Sequence, residues 1–101
     1  MDMDPRKIKY FLAVAKERHM GRAAQRLHMS QPPLTRQIHL LEEEVGVALF
    51  DRTPRGMILT QAGQTLLEDA LSIQMLLKQS AERARRAGQG QQGCLDIGVF
   101  G

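Results

Sequence analysis

Aromatic residues are scarce in this chain of 101 residues, which has no tryptophan, one tyrosine and three phenylalanines. A core must therefore come from Leu, Ile, Val, Met and Ala, and the length suits one modest domain. Cys94 is the single cysteine, which excludes an internal disulfide and makes a reducing compartment the default. Its ordinary reading is a half-buried thiol without a role. No apolar run approaches the roughly 18 residues of a membrane span, and the opening MDMDPRK has no hydrophobic signal region. A cytoplasmic protein with no membrane association is expected. Chemistry is scarce too. His19, His28 and His39 do not group with Cys94 at metal-ligand spacing, glycine-rich phosphate loops are missing, and the adjacent Glu42, Glu43 and Glu44 point apart on a helix. No enzyme, no metal site and no cofactor is expected.

What is present is an uneven charge distribution. The net charge is +3, but residues 1–41 hold eight Lys/Arg against three Asp/Glu, and residues 42–51 hold four acids and no base. A basic half beside an acidic shoulder fits nucleic-acid binding on one face.

Residues 30–46, SQPPLTRQIHLLEEEVG, organise the rest. Ser30 is placed to cap a helix with its hydroxyl, and Pro32 and Pro33 fall where backbone N–H groups lack intrahelical partners. Leu34, Ile38, Leu41 and Val45 make an apolar stripe, and Gly46 a stop. Pro32, Thr35, Arg36, His39 and Glu43 fall on the opposite face, with Gln31 at its start. A phosphate-rich partner is favoured at the N-terminal end of such a helix, where the dipole also favours anions.

Before it, Asp4-Pro5 opens a helix to about residue 18, with Ile8, Phe11, Leu12 and Ala15 on one face. Arg6, Lys7 and Lys9 near its start would be justified by a nearby phosphate backbone. A short helix over 20–27 follows, with Ala23, Ala24 and Leu27 inward, and a tight turn at His28-Met29. Helix, turn and helix is the helix-turn-helix arrangement, the second helix being the reader. After Gly46, Leu49-Phe50 and 57–59 read as strands around a Thr53-Pro54-Arg55-Gly56 turn. Such a ribbon is a wing, with Arg52 and Arg55 placed for backbone or minor-groove contacts. Thr60 caps a helix over 61–87 of about 27 residues, roughly 40 Å long. Leu66, Ala70, Ile73, Leu77, Ser80 and Ala84 form a seam on it, and a second copy of the chain is the economical partner. Gly88 to Gly93 reads as a flexible linker. Leu95, Ile97 and Val99 alternate with Asp96 and Gly98 as the opening strand of a further domain would. Without a partner strand, residues from about 88 onward are expected to be disordered, or ordered only by docking on a neighbouring chain.

Residues 23–63, AAQRLHMSQPPLTRQIHLLEEEVGVALFDRTPRGMILTQAG, resemble the signature of LysR-type transcriptional regulators throughout, and the similarity runs from about Ile8 to Gly101. The resemblance implies a mainly α fold with a small two-stranded wing: a winged helix-turn-helix over 1–59 and a linker/dimerisation helix over 60–87. Residues 88–101 would then be the hinge and first strand of a missing effector-binding domain. It implies a double-stranded DNA operator read as an interrupted palindrome by a homodimer, with higher oligomers and a small-molecule effector in the full-length protein only. Base contacts carry over to Gln31, Pro32, Pro33, Thr35 and Arg36, and wing contacts to Arg52 and Arg55; Ser30 and His39 join the latter as candidates for backbone or minor-groove contact. The dimerisation residues are those of the seam, Leu66, Ala70, Ile73, Leu77 and Ala84. One departure concerns the second helix. Family members usually have Gly-Ser before it, the Ser as cap. Arg18 and His19 stand there, so a weaker cap is expected and no phosphate contact is carried over to His19. The Gln-Pro-Pro-Leu-Thr-Arg run is similar to members governing aromatic-compound breakdown.

Two other functions remain open on the residues alone. One is a non-specific architectural protein, against which the base-edge candidates on one helix argue. The other is an interaction module whose long helix dimerises without DNA affinity.

Overall fold

The computed structural model describes residues 3–95. The elements run α1 (Pro5–Glu17), α2 (Met20–Arg26), α3 (Gln31–Val45), β1 (Phe50–Thr53), β2 (Gly56–Leu59) and α4 (Gln61–Leu95). The chain divides into two compact units, residues 1–71 and 72–101. The first unit is the winged helix-turn-helix.

The cap of α1 is the expected one. The Arg6 N–H donates to Asp4 Oδ1 at 2.8 Å, with Pro5 inside the first turn. That backbone hydrogen bond, reinforced by the Arg6 side chain, holds the Asp4 carboxyl below its ordinary value. Ile8, Phe11, Ala13 and Val14 are buried on α1, Met20, Ala23 and Ala24 on α2, and Leu34, Ile38 and Leu41 on α3. Val45 closes the α3 stripe half-buried. The Phe11 and Phe50 rings, 5.3 Å apart and tilted, join α1 to the start of the wing. β1 and β2 pair antiparallel from Phe50↔Leu59 to Thr53↔Gly56. The strands thus lie nearer the turn than expected, and Leu49 is buried just outside them. Gly56 has φ +117, and a Cβ there would lie 2.4 Å from the Arg18 carbonyl oxygen. Its absence lets the Met57 N–H donate to that carbonyl at 3.0 Å.

The α1–α2 junction shows how α2 is capped without a serine. His19 is the N-cap, its Nδ1 accepting from the Arg22 N–H at 3.1 Å, so an imidazole does what a serine hydroxyl would. Arg18 ends α1 with φ 56, a left-handed conformation that glycine adopts more cheaply. Arg18→Gly should therefore stabilise the domain by about 0.5–1 kcal/mol. Thermal melts read by circular dichroism check it, and an unchanged or lowered midpoint counts against it.

Two expectations about α4 change. The first compact unit reaches residue 71, not 59, because Ala62, Leu66, Leu67 and Ala70 pack on its core. Ala70 has no exposed surface and Leu66 is half-buried, which withdraws Ala70 from the proposed dimer seam and turns Leu66 toward its own domain. The second difference is length. α4 continues to Leu95, past the expected end at residue 87. An interior glycine costs a helix only about 1 kcal/mol, and no proline interrupts residues 61–95. Gly88 and Gly90 therefore mark no stop, and Arg83, Arg85 and Arg86 lie inside the helix, not near its end. The expected strand lies mainly beyond the described residues; its first apolar position, Leu95, is the last residue of α4. In the second unit every side chain from 72 to 90 is exposed.

Candidate nucleic-acid interface

α3 presents the functional row because its stripe is committed to the core. Gln31, Pro32, Thr35, Arg36 and His39 line one shallow, open concavity. Thr35 is half-buried and the other four are exposed. Pro33 is exposed but does not line it. Arg52 lies on β1 and Arg55 in the two-residue loop between the strands, both exposed. Neither lines the α3 concavity. The wing tip is pinned from within. The Arg55 N–H donates to Thr53 Oγ1 at 3.1 Å, and that hydroxyl donates to the Gly56 carbonyl at 3.0 Å.

Ser30 occupies the N-cap position with extended backbone, but its side chain makes no capping hydrogen bond. An N-cap side chain accepts from the second or third helical N–H. Here those positions are Pro32 and Pro33, which have none. The expected hydroxyl cap is thus impossible, and the Ser30 hydroxyl faces outward uncommitted to the helix. The same prolines thin the set of backbone donors at the end of α3 expected to attract anions, so side chains must supply that grip.

The basic residues sort into two groups. Arg6 pairs with Asp4 at 3.0 Å, Lys7 with Glu44 at 2.8 Å across α1 and α3, and Arg26 with Glu17 at 2.9 Å. Arg6 and Lys7 are therefore explained by pairing within the fold, without a phosphate. Among the described residues Arg36, Arg52 and Arg55 form no ion pair. The acidic end of α3 also differs from a solvated run. Glu44 faces Lys7, and Glu42 turns inward to accept from the Leu49 N–H at 2.7 Å and the Phe50 N–H at 3.2 Å. Only Glu43 of the three is exposed.

The inward Glu42 was not identifiable from the sequence. A glutamate accepting backbone N–H groups seven and eight residues ahead has no local signature. The His19 cap had one: a side-chain acceptor three residues before Arg22, at a helix start. Among the described residues no three His, Cys, Asp or Glu side chains group to hold a metal ion, and no helix is long and apolar enough to cross a membrane.

Comparison with known proteins matches this geometry. The model of the family described as bacterial regulatory helix-turn-helix protein, lysR family, matches residues 5–64. The HTH-type transcriptional regulator TfdS of Cupriavidus pinatubonensis is 52% identical over 99 residues, 98% of this chain and 34% of that protein. This chain therefore spans 34% of that regulator's length. The solved CbnR_DBD–DNA complex has a TM-score of 0.80 at 50% identity, covering 85% of this chain and 99% of that one. The BenM_DBD/benA site 1 DNA complex has a TM-score of 0.83 at 35% identity, covering 87% and 99%. With the helix-turn-helix, the wing and the exposed row on α3 all in place, the chain belongs to the lysR family of bacterial regulatory helix-turn-helix proteins.

Proposed function

We propose that this chain is the sequence-specific double-stranded DNA-binding part of a cytoplasmic bacterial transcriptional regulator and acts as a dimer. The observation that carries this reading is the shared concavity of Gln31, Pro32, Thr35, Arg36 and His39 on the N-terminal half of α3, with Glu42 and Glu44 drawn into the fold at the other half. That face carries the donor and acceptor side chains a major-groove reader uses. Gln31, Thr35 and the unpaired Arg36 meet base edges, Arg36 suiting a guanine best, while Pro32 and Pro33 offer apolar contact to thymine methyl groups. Ser30, His39, Arg52 and Arg55 take the backbone or minor groove.

The dimer is carried by the second unit, where Ile73 and Leu77 are 44% and 61% exposed and continue through Ser80 to Ala84 at heptad spacing. Two α3 helices would then read half-sites about 34 Å apart, or a multiple of that. Higher oligomers and the response to a small-molecule effector belong to the remainder of the regulator, as in a protein of which this chain is one part.

Binding-site selection from random duplexes, followed by titration of Arg36→Ala, tests the reading. Specific affinity should fall by about 1–3 kcal/mol, roughly 5- to 150-fold, the discrimination of one good base contact. Affinity for scrambled duplex should change far less. An unchanged sequence preference in Arg36→Ala would remove α3 from the reading role, and equal affinity of the parent chain for poly-dI-dC and the selected duplex would favour an architectural protein.

A further inference from the structure

Leu49 is held from two sides. On one, the Glu42 carboxylate of α3 accepts from the Leu49 and Phe50 N–H groups through a single oxygen, Oε2. On the other, the Leu49 carbonyl accepts from the Thr60 N–H at 3.0 Å, while the Thr60 hydroxyl donates to the Ala48 carbonyl at 2.7 Å. The same hydroxyl accepts from the Gly63 N–H at 3.0 Å, so α4 opens on the segment it grips, just before β1. The second Glu42 oxygen, Oε1, stands 3.7 Å from His39 Nδ1. His39 is in the exposed row of α3. One half-buried carboxylate thus spans the distance between the reading row and the first residue of the wing.

We propose that Glu42 is a positioning residue for DNA binding: its carboxylate fixes where the wing stands relative to α3, so that Arg52 and Arg55 meet the duplex while Arg36 reads it. This rests on the DNA-binding reading above. The chemistry favours a carboxylate here. An ionised acceptor forms shorter and stronger hydrogen bonds to backbone N–H groups than a neutral one, and two N–H groups at the mouth of a strand converge on one acceptor. A two-stranded ribbon has little order of its own, and Glu42 anchors it at its first residue as the Arg18 carbonyl does at Met57. Glu42 touches no nucleic acid in this scheme. It acts through Arg52 and Arg55.

A double-mutant cycle on the full 101-residue chain tests it, using a duplex recovered by selection and a fluorescence titration well below the melting midpoint. In the parent chain Arg55→Ala should weaken binding about three- to tenfold, as expected for the loss of one phosphate contact. In a Glu42→Ala background the same substitution should cost less than about twofold, because the wing no longer delivers Arg55 to the backbone. Arg36→Ala should cost the same in both backgrounds. A purely structural role for Glu42 would lower the folded fraction and leave the Arg55 penalty intact, and that result overturns the proposal. Should Glu42→Ala fail to fold, Glu42→Gln keeps one neutral acceptor and the cycle is run on it with the same criterion. Amide hydrogen exchange without DNA supplies an independent readout. Leu49 and Phe50 should lose protection in the Glu42 variants, and unchanged protection there also overturns the proposal. Absence of selective binding by the parent chain would overturn the DNA-binding reading itself, whatever the exchange rates show.

Discussion

Gly63→Ala should destabilise the winged unit by about 3 kcal/mol or more, the upper range for forcing atoms into a filled space. A Cβ at Gly63 would lie 2.1 Å from the Leu49 carbonyl oxygen and 2.9 Å from Leu59 Cδ2. A flexible side chain could yield, but a carbonyl held by the Thr60 N–H, on a residue whose own N–H is held by Glu42, has nowhere to go. Chemical denaturation followed by circular dichroism should show a lower midpoint with little change in slope. The Gly88→Ala variant is the matched control. A Cβ there meets nothing within 4 Å, and its only effect should be a gain in helix propensity. A Gly63→Ala protein as stable as the parent would mean that α4 and the Ala48–Leu49 segment are not packed as closely as described.

The second large effect concerns assembly. Replacing both Ile73 and Leu77 by glutamate should give monomers, because each exposed apolar side chain would be exchanged for a charge on the proposed dimer face. The monomers should bind a single half-site and lose roughly 10²- to 10⁴-fold on the full palindrome, the advantage of joining two binding events. Sedimentation velocity separates the species, and circular dichroism confirms that the winged unit, which contains neither residue, is intact. A double variant that still sediments as a dimer would place the interface elsewhere. Leu66 and Ala70 are omitted from this test on purpose, since charges there would disrupt the core of the first unit.

That omission shows what spacing can and cannot say. Residues 66, 70, 73 and 77 repeat at intervals of four and three, and the repeat correctly marks one apolar row on a helix. It carries no information about which body covers each turn. The domain's own core takes the first two and leaves the next two bare. The α3 stripe was easier, because Gly46 and the polar row opposite it left a single way to orient fifteen residues. The opening of α1 was equally readable, since Asp4 and Pro5 act on neighbours two residues away. Interactions across larger separations were not, as with Lys7 and Glu44 or Arg18 and Met57. Ser30 is a different kind of miss. Its residue type favours a cap, but the two prolines that follow remove the very donors a cap needs, and that conflict was already present in the chain. Of the residues proposed to contact bases, Gln31, Pro32, Thr35 and Arg36 share one concavity, and Pro33 stands outside it.

The wing is tied to the α1–α2 junction through Met57 and Arg18, to α3 through Glu42, and to the core through Phe50 and Met57. A ribbon secured at these points takes its place as the first unit folds. Most of the conformational entropy of its strands is therefore lost when the chain folds, before any partner arrives. The proposed contact with DNA would then immobilise little more than the exposed side chains of Arg52 and Arg55, with the wing already in its final shape.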